Sequence, residues 1–186
     1  LENGSAATTY QRITTDTDYD TVGFPLYLKF DGVDDFLSTG GNVDFSATDK
    51  MTVVAGVTCL NSASTAVLVE HGVNSAPGFN MTAPYPANSV SMKFSGSAAG
   101  VDATAAGFTA PYSKVLSATG AIGTDTNILR SNGVQVASSS ADQGSGNFGN
   151  LKIYVGRRAG TSFPFNGEWS SIVIRGAAST TEEIEA

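Results

Sequence analysis

The chain has 186 residues, 41% hydrophobic and only 15% charged, with 21 glycines. That composition suits a single sheet domain rich in tight turns and argues against a helical bundle built on Leu, Glu, Lys and Arg. A formal net charge of −7, from 17 acidic against 10 basic residues, repels phosphate-rich partners, and Arg157–Arg158 is the one basic doublet, so nucleic acid is excluded as a partner. No apolar run approaches the ~18 residues of a membrane span, so no membrane insertion is expected.

Residues 1–24 carry little apolar periodicity and read as an extended N-terminal arm or linker from a larger protein. Residues 25–186 read as one β-sandwich that ends in the start of a short helix. Leu26–Phe30 is expected as a strand, Asp31–Asp35 as a turn and Phe36–Thr39 as that strand's partner. Met51–Leu60 is β-branched and mostly alternating, long enough to cross a whole sheet. Ala66–His71, Gly78–Thr82 and Ser89–Phe94 come next at short intervals, with Gly, Pro and Asn between them.

In the second half Lys114–Ala118 and Thr126–Arg130 precede a hairpin at Asn132–Gly133, the dipeptide favoured where two consecutive residues need positive φ. Val134–Ala137, Leu151–Val155 and a long strand from about Glu168 to Arg175 complete the set. Ser179 and Glu182 have the spacing of a capping box. Many short strands with turn signals every eight to twelve residues predict an all-β, antiparallel two-sheet sandwich.

Several motifs are tested by their chemistry. His71 is the single histidine, and no Gly-x-Ser-x-Gly elbow accompanies it, so it is read as a solvated or hydrogen-bonded strand-end residue and not as a catalytic base. Cys59 is the single cysteine, which rules out an internal disulfide, and its alternating apolar context marks a small buried hydrophobe. Gly144–Gly149 matches a dinucleotide pattern, but the residues after it read as a strand, where that motif needs a helix. Asp16, Asp18 and Asp20 have the opening spacing of a calcium loop, yet Thr21 and Tyr27 stand where Gly and Glu are required.

Asp31, Asp34 and Asp35 share one tight turn, where Asp serves local backbone bonding or, with carbonyl oxygens, gathers a calcium ion. Sugar recognition needs an aromatic platform with planar polar groups beside it. Tyr85, Tyr112, Arg157 and Arg158, all near loops, are the ligand-binding candidates. Phe163, Phe165 and Trp169 could equally be core. Of Arg157 and Arg158, consecutive in or after a strand, one can point at a given site while the other pairs with a surface carboxylate.

Phe30-Asp-Gly-Val-Asp-Asp-Phe-Leu37, the Arg130–Val134 hairpin, Val155-Gly-Arg157, Phe165-Asn-Gly167 and the closing Ala178–Ile184 occur in an order that resembles the laminin-G-like, concanavalin-A-like superfamily. That resemblance covers about Phe24 to Ile184 and implies a jelly roll. The opening Leu1–Arg12 is similar to segments that precede such domains in phage and prophage tail or spike proteins. Together these resemblances imply a non-catalytic carbohydrate- or cell-surface-binding module on the virion surface or in an extracellular protein. Its partners would be a glycan or host-cell-surface receptor and a parent structural protein.

The alternatives are a purely structural decoration that contacts sister subunits, such as a homotrimer, and a divergent glycosidase. Glycosidases of this fold place several carboxylates on one strand, and no such run occurs here. The partner-facing surface is expected at one end of the sandwich, around 74–86, 108–113 and 157–165, and not on its broad faces.

Overall fold

A strand whose alternate side chains are apolar buries them only against a second sheet, and this chain supplies two. The computed structural model describes Glu2–Asn3 and residues 27–73, 77–86, 88–97, 100 and 102–185. In chain order the strands are β1 (Glu2–Asn3), β2 (Leu28–Asp31), β3 (Leu37–Ser38), β4 (Val43–Asp44), β5 (Lys50–Cys59), β6 (Val67–His71), β7 (Gly78–Tyr85) and β8 (Ser89–Ser95). They continue as β9 (Ala103–Ala106), β10 (Tyr112–Ala121), β11 (Thr126–Ser131), β12 (Val134–Ser139), β13 (Asn150–Leu151), β14 (Ile153–Val155) and β15 (Asn166–Arg175), before helix α1 (Thr181–Glu185).

Seven strands form one sheet in the order β1-β3-β14-β6-β7-β8-β9, and six form the other as β12-β11-β10-β5-β15-β2. β4 and β13 make a separate two-stranded ladder. Neighbours run antiparallel throughout. The architecture is the expected antiparallel two-sheet sandwich.

The core lies between the sheets. Phe79, Met81, Met92 and Phe94 from the seven-stranded sheet meet Met51, Val53, Ala55, Leu116 and Leu129 from the six-stranded one, all fully buried. Each large apolar side chain so placed stabilises the fold by about 1.5–3 kcal/mol relative to exposure. Gly120 on β10 is needed here, because a Cβ at that position would run into the Phe94 ring. At the β11–β12 hairpin Asn132 and Gly133 take φ of 49° and 80°, as the dipeptide foretold.

Four expectations are corrected. β2 and β3 are not partners: β2 joins β15 in the six-stranded sheet and β3 joins β14 in the seven-stranded one. The turn at 31–35 therefore carries the chain from one sheet to the other. The segment expected as one strand at Leu151–Val155 is split, β13 pairing with β4 and β14 entering the large sheet. Ala103–Ala106 is an unanticipated strand, its small side chains alternating between buried and exposed.

The helix cap is shifted by one residue. Glu183 N–H donates to Thr180 Oγ1 at 3.3 Å, and Thr180 N–H donates to Glu183 Oε2 at 2.9 Å. Ser179 is otherwise engaged, donating its N–H to Thr52 and accepting from Arg175. The glycine-rich stretch at 144–149 links β12 to β13, with no helix after it. Apart from β1, which pairs with β3, the proposed arm lies outside the described residues.

Candidate functional site

Because side chains alternate across a strand, β6 sends Val69 and His71 into the core and Glu70 to the outer face of the seven-stranded sheet. The register then sets four outward residues in a row, Tyr154, Glu70, Asn80 and Lys93, across β14, β6, β7 and β8. Asp102, immediately before β9, extends the row beside Lys93, since Ala103 pairs with Met92. Thr82, Ser91 and Thr104 form the next row.

Glu70 is fully buried, and its carboxylate accepts from the Ala159 amide at 2.7 Å and from Asn80 Nδ2 at 3.1 Å. Arg158 Nε stands 3.4 Å away as an ion-pair partner. Burial pushes the Glu70 carboxyl above its ordinary range, while the Ala159 amide, the Arg158 charge and Asn80 pull it back. The guanidinium of Arg158 lies 4.7 Å from the centroid of the Phe163 ring. A short backbone clasp fixes this loop: Arg158 N–H donates to Ser162 at 2.8 Å, and Val67 N–H donates to Phe163 at 2.9 Å.

Across the row, Asp102 accepts from the Ser91 hydroxyl at 2.9 Å and from the Tyr85 hydroxyl at 3.3 Å, with Lys93 Nζ 3.8 Å away. Burial, then the Asp102 charge, pushes the Tyr85 phenol upward, and Arg158 pulls it down. Tyr85 thus sits between two ion pairs, Arg158–Glu70 and Lys93–Asp102. The result is a rim of half-exposed donors and acceptors over a floor of buried, hydrogen-bonded polar groups. Such a floor holds the rim side chains in place.

Of the four candidates for ligand binding, the structure brings Tyr85 and Arg158 together. Arg157 turns away, donating to the carbonyls of Thr161 at 2.9 Å and Asp34 at 3.4 Å, so it ties its loop to the 31–35 turn. Among the described residues neither arginine takes a surface carboxylate, and Arg158 pairs with the buried Glu70. Tyr112 points inward, its ring edge-on to Phe108 at 5.6 Å and its hydroxyl buried, so it packs the core beside Cys59. Burial drives the Tyr112 phenol far upward.

Asp31, Asp34 and Asp35 hold their carboxylates within 4.8 Å of one another. Two of them serve the turn itself: Asp31 accepts from the Val33 amide, and Asp35 from the Asp31 amide. Burial, together with the charges of Asp31 and Asp34, raises the Asp35 carboxyl against the pull of that amide bond.

His71 is hydrogen-bonded, as expected, but it is not solvated. Its ring is fully buried, stacked on Phe79 and edge-on to Phe45, with Nε2 3.0 Å from the Val43 carbonyl. Burial lowers its pKa below the ordinary 6.5, so it stays neutral. Glu168, next to the inward Trp169, faces outward on the other sheet, on the opposite side of the molecule from Glu70. The two cannot approach the 5–5.5 Å of a retaining carboxylate pair.

The segments near 84–88, 108–113 and 162–166 do gather at one end. Phe108 N–H donates to Asn88, Ala66 N–H to Pro84 and Leu60 N–H to Asn166. Residues 74–76 and 87 lie outside the described residues, and Pro77 sits at the other end of β7. The polar rim starts at the shared end and spreads over the broad outer face of the seven-stranded sheet. Sequence reasoning misses Glu70, which holds Arg158 and Asn80, and Asp102, which holds Tyr85 and Lys93. The signal for Asn80 and Lys93 is the polar half of the alternation in Phe79-Asn-Met-Thr82 and Ser89-Val-Ser-Met-Lys-Phe94.

No protein-family model and no curated protein matches this chain. Solved structures do. A SAP-like pentraxin from Limulus polyphemus aligns with a TM-score of 0.66 at 9% identity, over 86% of this chain and 79% of its own. The CBM40 of Ruminococcus gnavus IT-sialidase, solved bound to α2,3-sialyllactose, aligns with a TM-score of 0.58 at 17% identity, over 80% of this chain and 96% of its own. The NanB sialidase of Streptococcus pneumoniae aligns with a TM-score of 0.62 at 14% identity, and the match spans only 27% of that longer enzyme. The fold is therefore the concanavalin-A-like jelly roll that the ordered motifs implied.

Proposed function

We propose that this chain is a non-catalytic carbohydrate-binding module that seats a glycan on the outer face of its seven-stranded sheet. The observation that carries this reading is the rim formed by Arg158, Phe163, Tyr85, Asp102 and Lys93 over the buried Glu70–Asn80 floor. A sugar hydroxyl both donates and accepts, so it can bridge a carboxylate and a cation at once. The side chains that would do this are already held by partners, which lowers the entropy lost on binding. The CBM40 neighbour, solved with a bound oligosaccharide, supports glycan as the ligand class on this scaffold.

Binding without turnover is supported by the placement of the titratable groups. His71 faces the aromatic core, and the Glu70 carboxylate is spent on Ala159, Asn80 and Arg158. The module would belong to a phage-derived or extracellular structural protein, at the virion surface or outside the cell, and recognise a host-surface glycan.

A glycan array probed with the chain and with a Tyr85→Ala, Lys93→Ala variant tests the reading. Retention of a defined sugar set by the wild type and its loss in the variant are expected. Retention by both proteins alike, or by neither, would refute it.

A second reading, assembly with sister subunits, is favoured by Val115 and Val173, which are 44% and 56% exposed on the outer face of the six-stranded sheet. Light scattering of the isolated chain tests it: a trimer that Val173→Lys dissociates supports assembly, and a monomer at all concentrations removes it.

A further inference from the structure

From the charge arrangement of the rim we infer that the ligand is a neutral sugar, recognised through its hydroxyl groups, and not an acidic one. This rests on the glycan-binding reading and specifies the sugar class. An anionic sugar needs a cation whose charge is uncompensated, and the rim offers none. Arg158 already faces Glu70 at 3.4 Å, and Lys93 faces Asp102 at 3.8 Å. Arg157, the neighbour of Arg158 in sequence, donates to carbonyls beside a turn that carries Asp31, Asp34 and Asp35.

Formal charges in the rim balance, two positive, Arg158 and Lys93, against two negative, Glu70 and Asp102. The chain as a whole carries −7. A carboxylate brought here would lose hydration with no net positive charge in the rim to offset it.

A neutral ring fits the same atoms. Among the described residues nothing accepts from the terminal nitrogens of Arg158, so they remain available as planar donors. Asp102 accepts two hydroxyls, from Ser91 and Tyr85, and an ionised carboxylate has about four lone-pair sites, leaving room for a ligand hydroxyl. Donor and acceptor alternate around Tyr85, which matches adjacent hydroxyls on a sugar ring and gives no purchase to a second negative charge.

The test compares lactose with α2,3- and α2,6-sialyllactose, and a neutral with a sialylated set on an array. Titration calorimetry then follows the best binder with the wild type and with Asp102→Asn. Neutral sugars are expected to bind at least as well as their sialylated counterparts. Raising salt from about 0.05 to about 0.5 M should change affinity less than about twofold, because no net ion pair forms. Asp102→Asn should weaken binding about tenfold, as removal of a charged acceptor does.

Binding confined to sialylated sugars, weakened by salt and tightened by Asp102→Asn, overturns this inference and leaves glycan binding intact. Binding of no sugar in either set overturns both.

Discussion

Glu70 and His71 are consecutive, both fully buried and both titratable, yet the two faces of their sheet treat them in opposite ways. His71 enters an aromatic stack with its Nε2 on the Val43 carbonyl, and the same inner face carries Phe79 and Phe94. Glu70 enters a polar network that reaches through Arg158 and Asn80 toward Lys93, Asp102 and Tyr85. The inner face supplies stability through apolar area. The outer face spends its burial on holding polar groups in fixed positions, which adds less to stability.

The largest test of that division lies on the inner face. Phe94→Ala empties a site lined by Phe79, Phe148 and Gly120 and should cost about 3–5 kcal/mol in urea unfolding. The sugar affinity of the fraction still folded should stay near wild type. Next comes Glu70→Ala, which strands Arg158 and leaves the Ala159 amide and Asn80 without an acceptor. It should cost about 2–3 kcal/mol and also abolish binding, because the loop that presents Arg158 loses its anchor. If Glu70→Ala lowered stability and left binding intact, the outer face would be no more than scaffold.

pH separates the two residues in sign. In the unfolded chain His71 protonates near its ordinary 6.5, while the buried native ring stays neutral to lower pH. The unfolded state then binds more protons, and stability falls as pH drops below 6.5. Glu70 does the reverse. Its native carboxyl takes up a proton above the ordinary 4.5, so the native state gains protons first and stability rises as pH falls toward 4.5. Unfolding titrations should show a shallow net slope, each group contributing at most about 1.4 kcal/mol per pH unit. Glu70→Gln should steepen the acid loss and His71→Asn should flatten it. Identical slopes in both variants would contradict the assignment.

The smallest stability effect belongs to Tyr85→Phe. It removes one hydroxyl from Asp102 and should change unfolding by no more than about 1 kcal/mol while weakening sugar binding several-fold. Equal affinity in calorimetry would take Tyr85 out of the rim.

The same contrast explains what could be read from sequence. Inner faces announce themselves: the apolar pattern in Met51–Leu60 and Ser89–Phe94 marks two strands, observed at Lys50–Cys59 and Ser89–Ser95, and Asn132–Gly133 names its own turn. Pairing across the chain did not announce itself. The 31–35 turn looked like a hairpin, because nothing local reveals that Phe30 packs in one sheet and Leu37 pairs in the other. Ala103–Ala106 lacks the bulk that flags a strand.

Tyr85 and Arg158 could be picked out as a loop-borne aromatic and a cation. Glu70, Asn80 and Asp102 become their neighbours only through register, and that register passes bulges between Val67 and Val69 and between Thr82 and Tyr85. Tyr112 carried the same local signal as Tyr85, but its position on β10 turns its ring onto Phe108.

Amide chemical-shift mapping by NMR, with the array's best-bound oligosaccharide titrated into the chain, tests the central claim most directly. Shifts concentrated at Tyr85, Lys93, Asp102, Thr104 and Arg158–Phe163, with the opposite face at Val115 and Val173 silent, are the predicted result. Shifts centred on the outer face of the six-stranded sheet, or on the β11–β12 edge from Asp125 to Ser140, would contradict it.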